Sequence, residues 1–204
     1  DAFFSREKAA WLLALIVLYK LGDAFAGSLS TSFLIRGAGF TPTEVGAVNK
    51  VLGLVATIVG ALAGGAWLAK RPLHASLMLF GILQAVSNFG YWLISVLPKS
   101  YGLMAAAIGF ENLCGGMGTA AFVAFLMALT DRRFSAAQYA LLSALAAVGR
   151  VYVGPASGVM VAAFGWPTFF VFTVVAALPG LLLLALFSGY LAIWSLMNKD
   201  KIPE

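Results

Sequence analysis

Phe110-Glu111-Asn112-Leu113-Cys114-Gly115-Gly116-Met117-Gly118-Thr119 lies in the middle of an apolar run from about 101 to 129, long enough to cross a hydrocarbon layer of ~30 Å as one helix. That length puts the carboxylate of Glu111 at membrane depth. An ionisable group there costs about 2.5–3.5 kcal/mol on insertion scales, so Glu111 has to face protein or water instead of lipid. On a helix, Glu111, Gly115, Gly118 and Phe122 share one face. The carboxylate therefore looks along a strip with few side chains, where another helix or a ligand can approach the backbone closely.

Composition places the whole chain in the same class. Of 204 residues, 62% are hydrophobic and 10% charged, and a mean hydropathy of +0.96 excludes an ordinary soluble domain. The net charge of +5 does not point to nucleic acid, because most of the basic residues cluster in short loops between apolar runs, as membrane topology requires. Membrane lipid is the expected surrounding. The single cysteine, Cys114, lies inside a span, so neither an intrachain disulfide nor a multi-cysteine metal site is expected. No cofactor is indicated. The first residue is Asp1 and no signal-peptide pattern precedes the first span, so the chain is expected to begin partway through a longer one.

Taken in order, a lead-in of 1–8 is followed by six predicted spans at about 9–34, 42–68, 73–97, 101–129, 136–164 and 168–188, then a tail of 189–204. The boundaries have chemical causes. Thr41-Pro42-Thr43-Glu44 reads as a helix start, with Thr41 as N-cap, Pro42 at the first helical position and Glu44 closing a capping box. Lys70-Arg71-Pro72 and Pro98-Lys99-Ser100 break the chain before the next spans. Ser135 and Gln138 form a second capping box, and Gly165-Trp166-Pro167 reads as a tight turn.

Six crossings put both termini on one side, which makes the loop charges a test. That side carries Arg6, Lys8, Lys70, Arg71, Arg132, Arg133, Lys199 and Lys201, and the other carries Arg36 and Lys99. Eight against two predicts both termini in the cytoplasm.

Spans one, two, four and five each hold a charge, whereas three and six hold none. In span one, Lys20 and Asp23 are three apart and pair on one face, either as a neutralised structural pair or as part of a transport site. In span two, Gly46, Lys50, Gly53, Thr57, Gly60 and Gly64 step by alternating fours and threes. Gly60 and Gly64 make a literal small-xxx-small pair, a helix-packing signal, as do Gly115 and Gly118 more loosely in span four. Lys50 is either cavity-lining or snorkels to the interface. Span five offers Ser143, Arg150, Gly154 and Ser157 on one face, with Pro155 expected to kink it. Arg150 and Glu111 lie near mid-span, where snorkelling is difficult, and read as functional. His74, the only histidine, sits at a membrane edge beside Lys70 and Arg71.

Leu18-Tyr19-Lys20-Leu21-Gly22-Asp23-Ala24-Phe25, the Phe110–Thr119 stretch and the run from Leu141 through Gly149-Arg150-Val151-Tyr152-Val153-Gly154-Pro155 resemble the second half of the AmpG-type muropeptide permeases of Gram-negative bacteria, in the major facilitator superfamily. The resemblance runs from about 11 to 182. It implies an all-α membrane fold in which this chain is one six-helix half, built of inverted three-helix repeats, with substrate held at mid-membrane against an N-terminal six-helix half. It further implies a secondary active transporter of the bacterial inner membrane, not an enzyme. The implied cargo is anhydro-muropeptides, GlcNAc–anhydro-MurNAc carrying a stem peptide, imported from periplasm to cytoplasm with protons during cell-wall recycling. The proton gradient is then the driving force.

The residues suit such a cargo. Lys20, Lys50 and Arg150 offer cations for peptide carboxylates, Asn112 a polar amide, and Tyr19, Tyr91, Trp92 and Tyr152 stacking or hydrogen-bonding surfaces. Glu111 and Asp23 are the two candidates for proton coupling. Asp23 has Lys20 one turn away to hold its charge, whereas Glu111 has no basic residue within a turn of its own helix, so Glu111 is the preferred carrier and Arg150 its expected partner. Three other classes remain open at this stage: a different major-facilitator exporter of drugs or metabolites, a non-transporting six-span scaffold, and an intramembrane hydrolase. For the last, Gly27-Ser28 with His74 makes a poor nucleophile and base.

Overall fold

A computed structural model describes residues 9–130 and 135–199, without the side chains of Ala9, Ser135, Gly149, Arg150 and 188–199. Among the described residues every regular element is helical. Among these residues five helices are long and apolar enough to cross a membrane: Ala10–Gly37, Pro42–Leu68, Leu73–Val96, Tyr101–Leu129 and Ala136–Phe187. These are called the first to the fifth span below.

The starts follow the expected chemistry. Thr41 Oγ1 accepts from the Glu44 amide at 3.3 Å while Glu44 Oε2 accepts from the Thr41 amide at 2.8 Å, so two of the helix's orphan donors are satisfied reciprocally. Ser100 caps the fourth span by accepting from the Leu103 amide at 3.4 Å. The second box, at Ser135 and Gln138, falls on a side chain outside the described residues.

Two boundaries differ from expectation. The first span continues beyond Leu34, its last five residues Phe33–Gly37 forming a π-helical turn. More consequentially, the fifth and sixth predicted spans form one helical run, Ser135–Lys199, with Gly165 non-helical at φ 78° and ψ 172°. A left-handed glycine reverses the chain there without a loop, and Pro167 is tolerated in the first turn after it. Pro155 lies inside this run with helical torsions, and the residue that leaves them is Gly165.

The core has two tiers. One gathers Leu12, Leu15, Ile16 and Tyr19 with Leu77, Phe80, Phe122, Phe125 and Leu126; the other gathers Phe33, Leu34, Phe40 and Val45 with Tyr91, Met104, Ile108, Phe169 and Phe170. The two limbs of the fifth span traverse these tiers in opposite directions. Leu142 joins the first tier and Val153 the second; after Gly165, Phe169 and Phe170 lie in the second and Leu183 and Leu184 in the first.

Close approach of helices rests on particular glycines. The second span lies directly on the fourth, because a Cβ at Gly60 would strike the Leu113 carbonyl and one at Gly64 would stand 2.9 Å from Met117 Cα. Gly116 returns the contact, 2.8 Å from the Ala61 nitrogen on the same measure. Lipid tails are as apolar as leucine, so this fit of backbone to backbone, and not burial from water, holds the pair together. Gly22 and Gly180 similarly seat the second limb of the fifth span against the first span, and Gly118 receives the Gln84 amide, whose Cδ lies 2.6 Å from where a Cβ would be.

Candidate functional site

Between the two apolar tiers the helices place a polar layer, and Glu111 is at its centre. Tyr91 of the third span donates its hydroxyl to Glu111 Oε2 at 3.2 Å. Asn112 Nδ2 donates to the same oxygen at 3.2 Å and to the Ile108 carbonyl at 2.8 Å. The Asn112 oxygen in turn accepts from Thr57 Oγ1 of the second span at 3.0 Å, and the Thr57 hydroxyl also lies 2.9 Å from the Gly53 carbonyl. A continuous chain of hydrogen bonds thus links the third, fourth and second spans at one depth.

The first span adds its charges to this layer. Lys20 Nζ and Asp23 Oδ2 are 3.4 Å apart, and both residues act electrostatically on Glu111 across the helix interface. Lys20 marks an irregularity, with φ −95° and ψ 2° separating Ala9–Tyr19 from Leu21–Ser32. The Lys20 ammonium also stands 6.0 Å over the Phe122 ring. Tyr19 is held nearby by donating to the Leu77 carbonyl at 2.8 Å and by stacking on Phe122 at 5.6 Å. Irregular helix is repeated in the second span, where Asn49–Gly53 is π-helical. Such turns free backbone groups at the depth where polar side chains gather.

The remaining candidates sit elsewhere. Lys50 is exposed within that π segment, Tyr152 is 75% exposed, and Pro155 faces outward. The Arg150 side chain lies outside the described residues, so the expected Glu111–Arg150 pairing receives no geometry; the partners found for Glu111 are Tyr91 and Asn112. The glycines divide into two groups. Gly60, Gly64 and Gly118 are filled by neighbouring helices, whereas Gly27, Gly46, Gly115, Gly154 and Gly158 have no atom within 4 Å of where a Cβ would stand. His74 is partly exposed at the start of the third span. Among the described residues no group of three or more His, Cys, Asp or Glu could hold a metal.

Sequence reasoning missed part of the layer. Tyr91 is legible only as a stacking or hydrogen-bonding surface for cargo and not as a partner of Glu111, Thr57 only as a step in a small-residue strip, and Gln84 and Asn88 not at all. Their shared spacing was a usable signal: Gln84, Asn88 and Tyr91 step by four and three along a span without charges, and all three are buried.

No family model matches the chain. It is 63% identical over 182 residues to the anhydromuropeptide permease of Escherichia coli (strain K12), a match covering 89% of this chain and 37% of that protein. It is 36% identical over 182 residues to AmpG 4 of Rickettsia felis, covering 89% of this chain and 44% of the relative. For AmpG 1 of Rickettsia prowazekii the identity is 35% over 173 residues, 85% of this chain and 39% of the relative. The chain therefore spans about two fifths of the length of the curated relatives it matches.

Proposed function

We propose that the chain is an AmpG-type permease over the length it spans, and that it forms one half of a proton-coupled importer of anhydro-muropeptides. The observation that carries this reading is the 63% identity, over 89% of the chain, to a protein named for that cargo. The fold supports the finer architecture. Two limbs that meet at Gly165 and run through the same two core tiers in opposite directions support reading the fifth span as two crossings, which would give six in all, as in a half-transporter of the major facilitator superfamily. An N-terminal half of the same transporter then supplies the other wall of the cavity, and the open glycines face it. The loop charges favour an inner-membrane protein with both ends of this segment in the cytoplasm.

Within that half, Glu111 carries the proton and the Lys20–Asp23 pair responds to its charge. A lone carboxylate at mid-membrane is costly while ionised and cheap when neutral, so its protonation state is coupled to which side of the membrane it meets. Arg150 and Lys50 are assigned to anionic groups of the cargo, and Tyr152, on the exposed face, to its sugar rings.

The test uses the full-length transporter in vesicles. Glu111→Gln fixes a neutral side chain of the same shape. It should abolish accumulation driven by a proton gradient while sparing exchange of labelled for unlabelled muropeptide. Accumulation in the variant with unchanged dependence on the gradient would remove Glu111 from the coupling mechanism.

A further inference from the structure

Glu111 holds its two oxygens in different states. Oε2 accepts from both Tyr91 and Asn112, each at 3.2 Å, whereas Oε1 has no hydrogen-bond partner among the described residues. One turn along the same face, Gly115 has open space where a Cβ would stand. Among the described residues the carboxylate is thus clamped by one oxygen and free at the other.

The Tyr91 ring and the Asn112 amide are positioned by contacts other than Glu111. The Tyr91 ring is 2% exposed and stacks on Phe170 at 5.4 Å with an interplanar angle of 19°. The orientation of the Asn112 amide is set by its neighbours, since only its nitrogen can donate to the Ile108 carbonyl at 2.8 Å, while Thr57 Oγ1 meets the amide oxygen at 3.0 Å.

A carboxylic acid carries its hydrogen on one oxygen and keeps acceptor capacity on the other. A proton on Oε2 would set an O–H group against the Asn112 amide nitrogen, which can only donate, and would require the Tyr91 hydroxyl to turn and accept instead of donating. On Oε1 it leaves both bonds intact. We propose that the proton taken by Glu111 is received on Oε1, and that Tyr91 and Asn112 are positioning residues that hold Oε2 in both charge states and so aim the acid at the open side. The step balances as transfer from hydronium to the carboxylate, leaving a neutral acid and water. Among the described residues, the charged and titratable groups around Glu111 are Lys20 and Asp23 from the first span, Tyr91 from the third and Cys114 on its own helix. From the second span the neutral Thr57 reaches the layer through Asn112.

This assignment rests on Glu111 being the proton carrier, and one experiment separates the two. Proton-induced infrared difference spectra of the reconstituted full-length transporter should contain a protonated-carboxyl C=O band that Glu111→Gln removes. Because that C=O is Oε2, Tyr91→Phe should shift the band upward by loss of one donor, and Asn112→Leu should do the same. Tyr91→Phe keeps the buried ring and its stack on Phe170, so the readout survives if Asn112→Leu fails to fold. If Glu111→Gln leaves the spectrum unchanged, the carrier assignment fails. If Glu111→Gln removes the band but Tyr91→Phe does not move it, the carrier stands and the Oε1 assignment is overturned.

Discussion

Gly60 and Gly115 look alike in the sequence, each a member of a small-residue strip in an apolar run, yet their surroundings are opposite. At Gly60 an added methyl meets the backbone carbonyl of Leu113, which cannot rotate away; at Gly115 it meets nothing within 4 Å. Gly60→Ala is therefore expected to force the second and fourth spans apart, at about 1–3 kcal/mol as for other overpacked contacts. Gly115→Ala should leave stability unchanged. Thermal unfolding of the purified full-length transporter in detergent checks both, and equal midpoints for the two variants would contradict the packing described. The sequence could not separate the glycines because residue spacing reports a face, not what stands opposite it. Glu111 was legible for the reverse reason: a carboxylate in a span has to be received somewhere, whatever the neighbours are. Which neighbour receives it was not legible, since Tyr91 approaches from a helix twenty residues away.

Among the elements, breaks and irregularities carry more information than the regular stretches. The capping box at Thr41 could be read because it is a local pattern of four residues, and it forms as read. The π-helical turns at Phe33–Gly37 and Asn49–Gly53 could not, because neither is marked by a distinctive residue and tertiary packing decides them. Gly165 lies between these cases. Its turn was visible from Gly-Trp-Pro, but the seamless passage from one limb to the other was not. With φ 78° and ψ 172°, the residue occupies backbone space that is nearly restricted to glycine. Gly165→Ala should cost about 1–3 kcal/mol and reduce the amount of folded transporter extracted from membranes. An unaltered unfolding midpoint would mean that the chain does not turn through that conformation.

For the molecule as a whole, hydropathy and loop charge were the most legible features, since both sum over many residues and survive errors at any one. Of the charges in the spans, Lys20, Asp23 and Glu111 lie close enough to act on one another, Lys50 is exposed away from them, and the third span enters the layer through neutral Tyr91. Orientation has its own check in a Cys114→Ser background. A cysteine at Lys99 should react with an impermeant thiol reagent applied from the periplasm, and one at Lys70 only after the membrane is disrupted; the reverse pattern would invert the topology. The central claim is that a transporter containing this half drives anhydro-muropeptide inward with protons, and uptake by proteoliposomes of the full-length protein tests it most directly. Labelled GlcNAc–anhydro-MurNAc-peptide should accumulate against its concentration gradient when the outside is acidified and should fall to simple equilibration when a protonophore is added. Accumulation that is indifferent to the protonophore, or no uptake of this cargo by protein that is folded and correctly oriented, would contradict it.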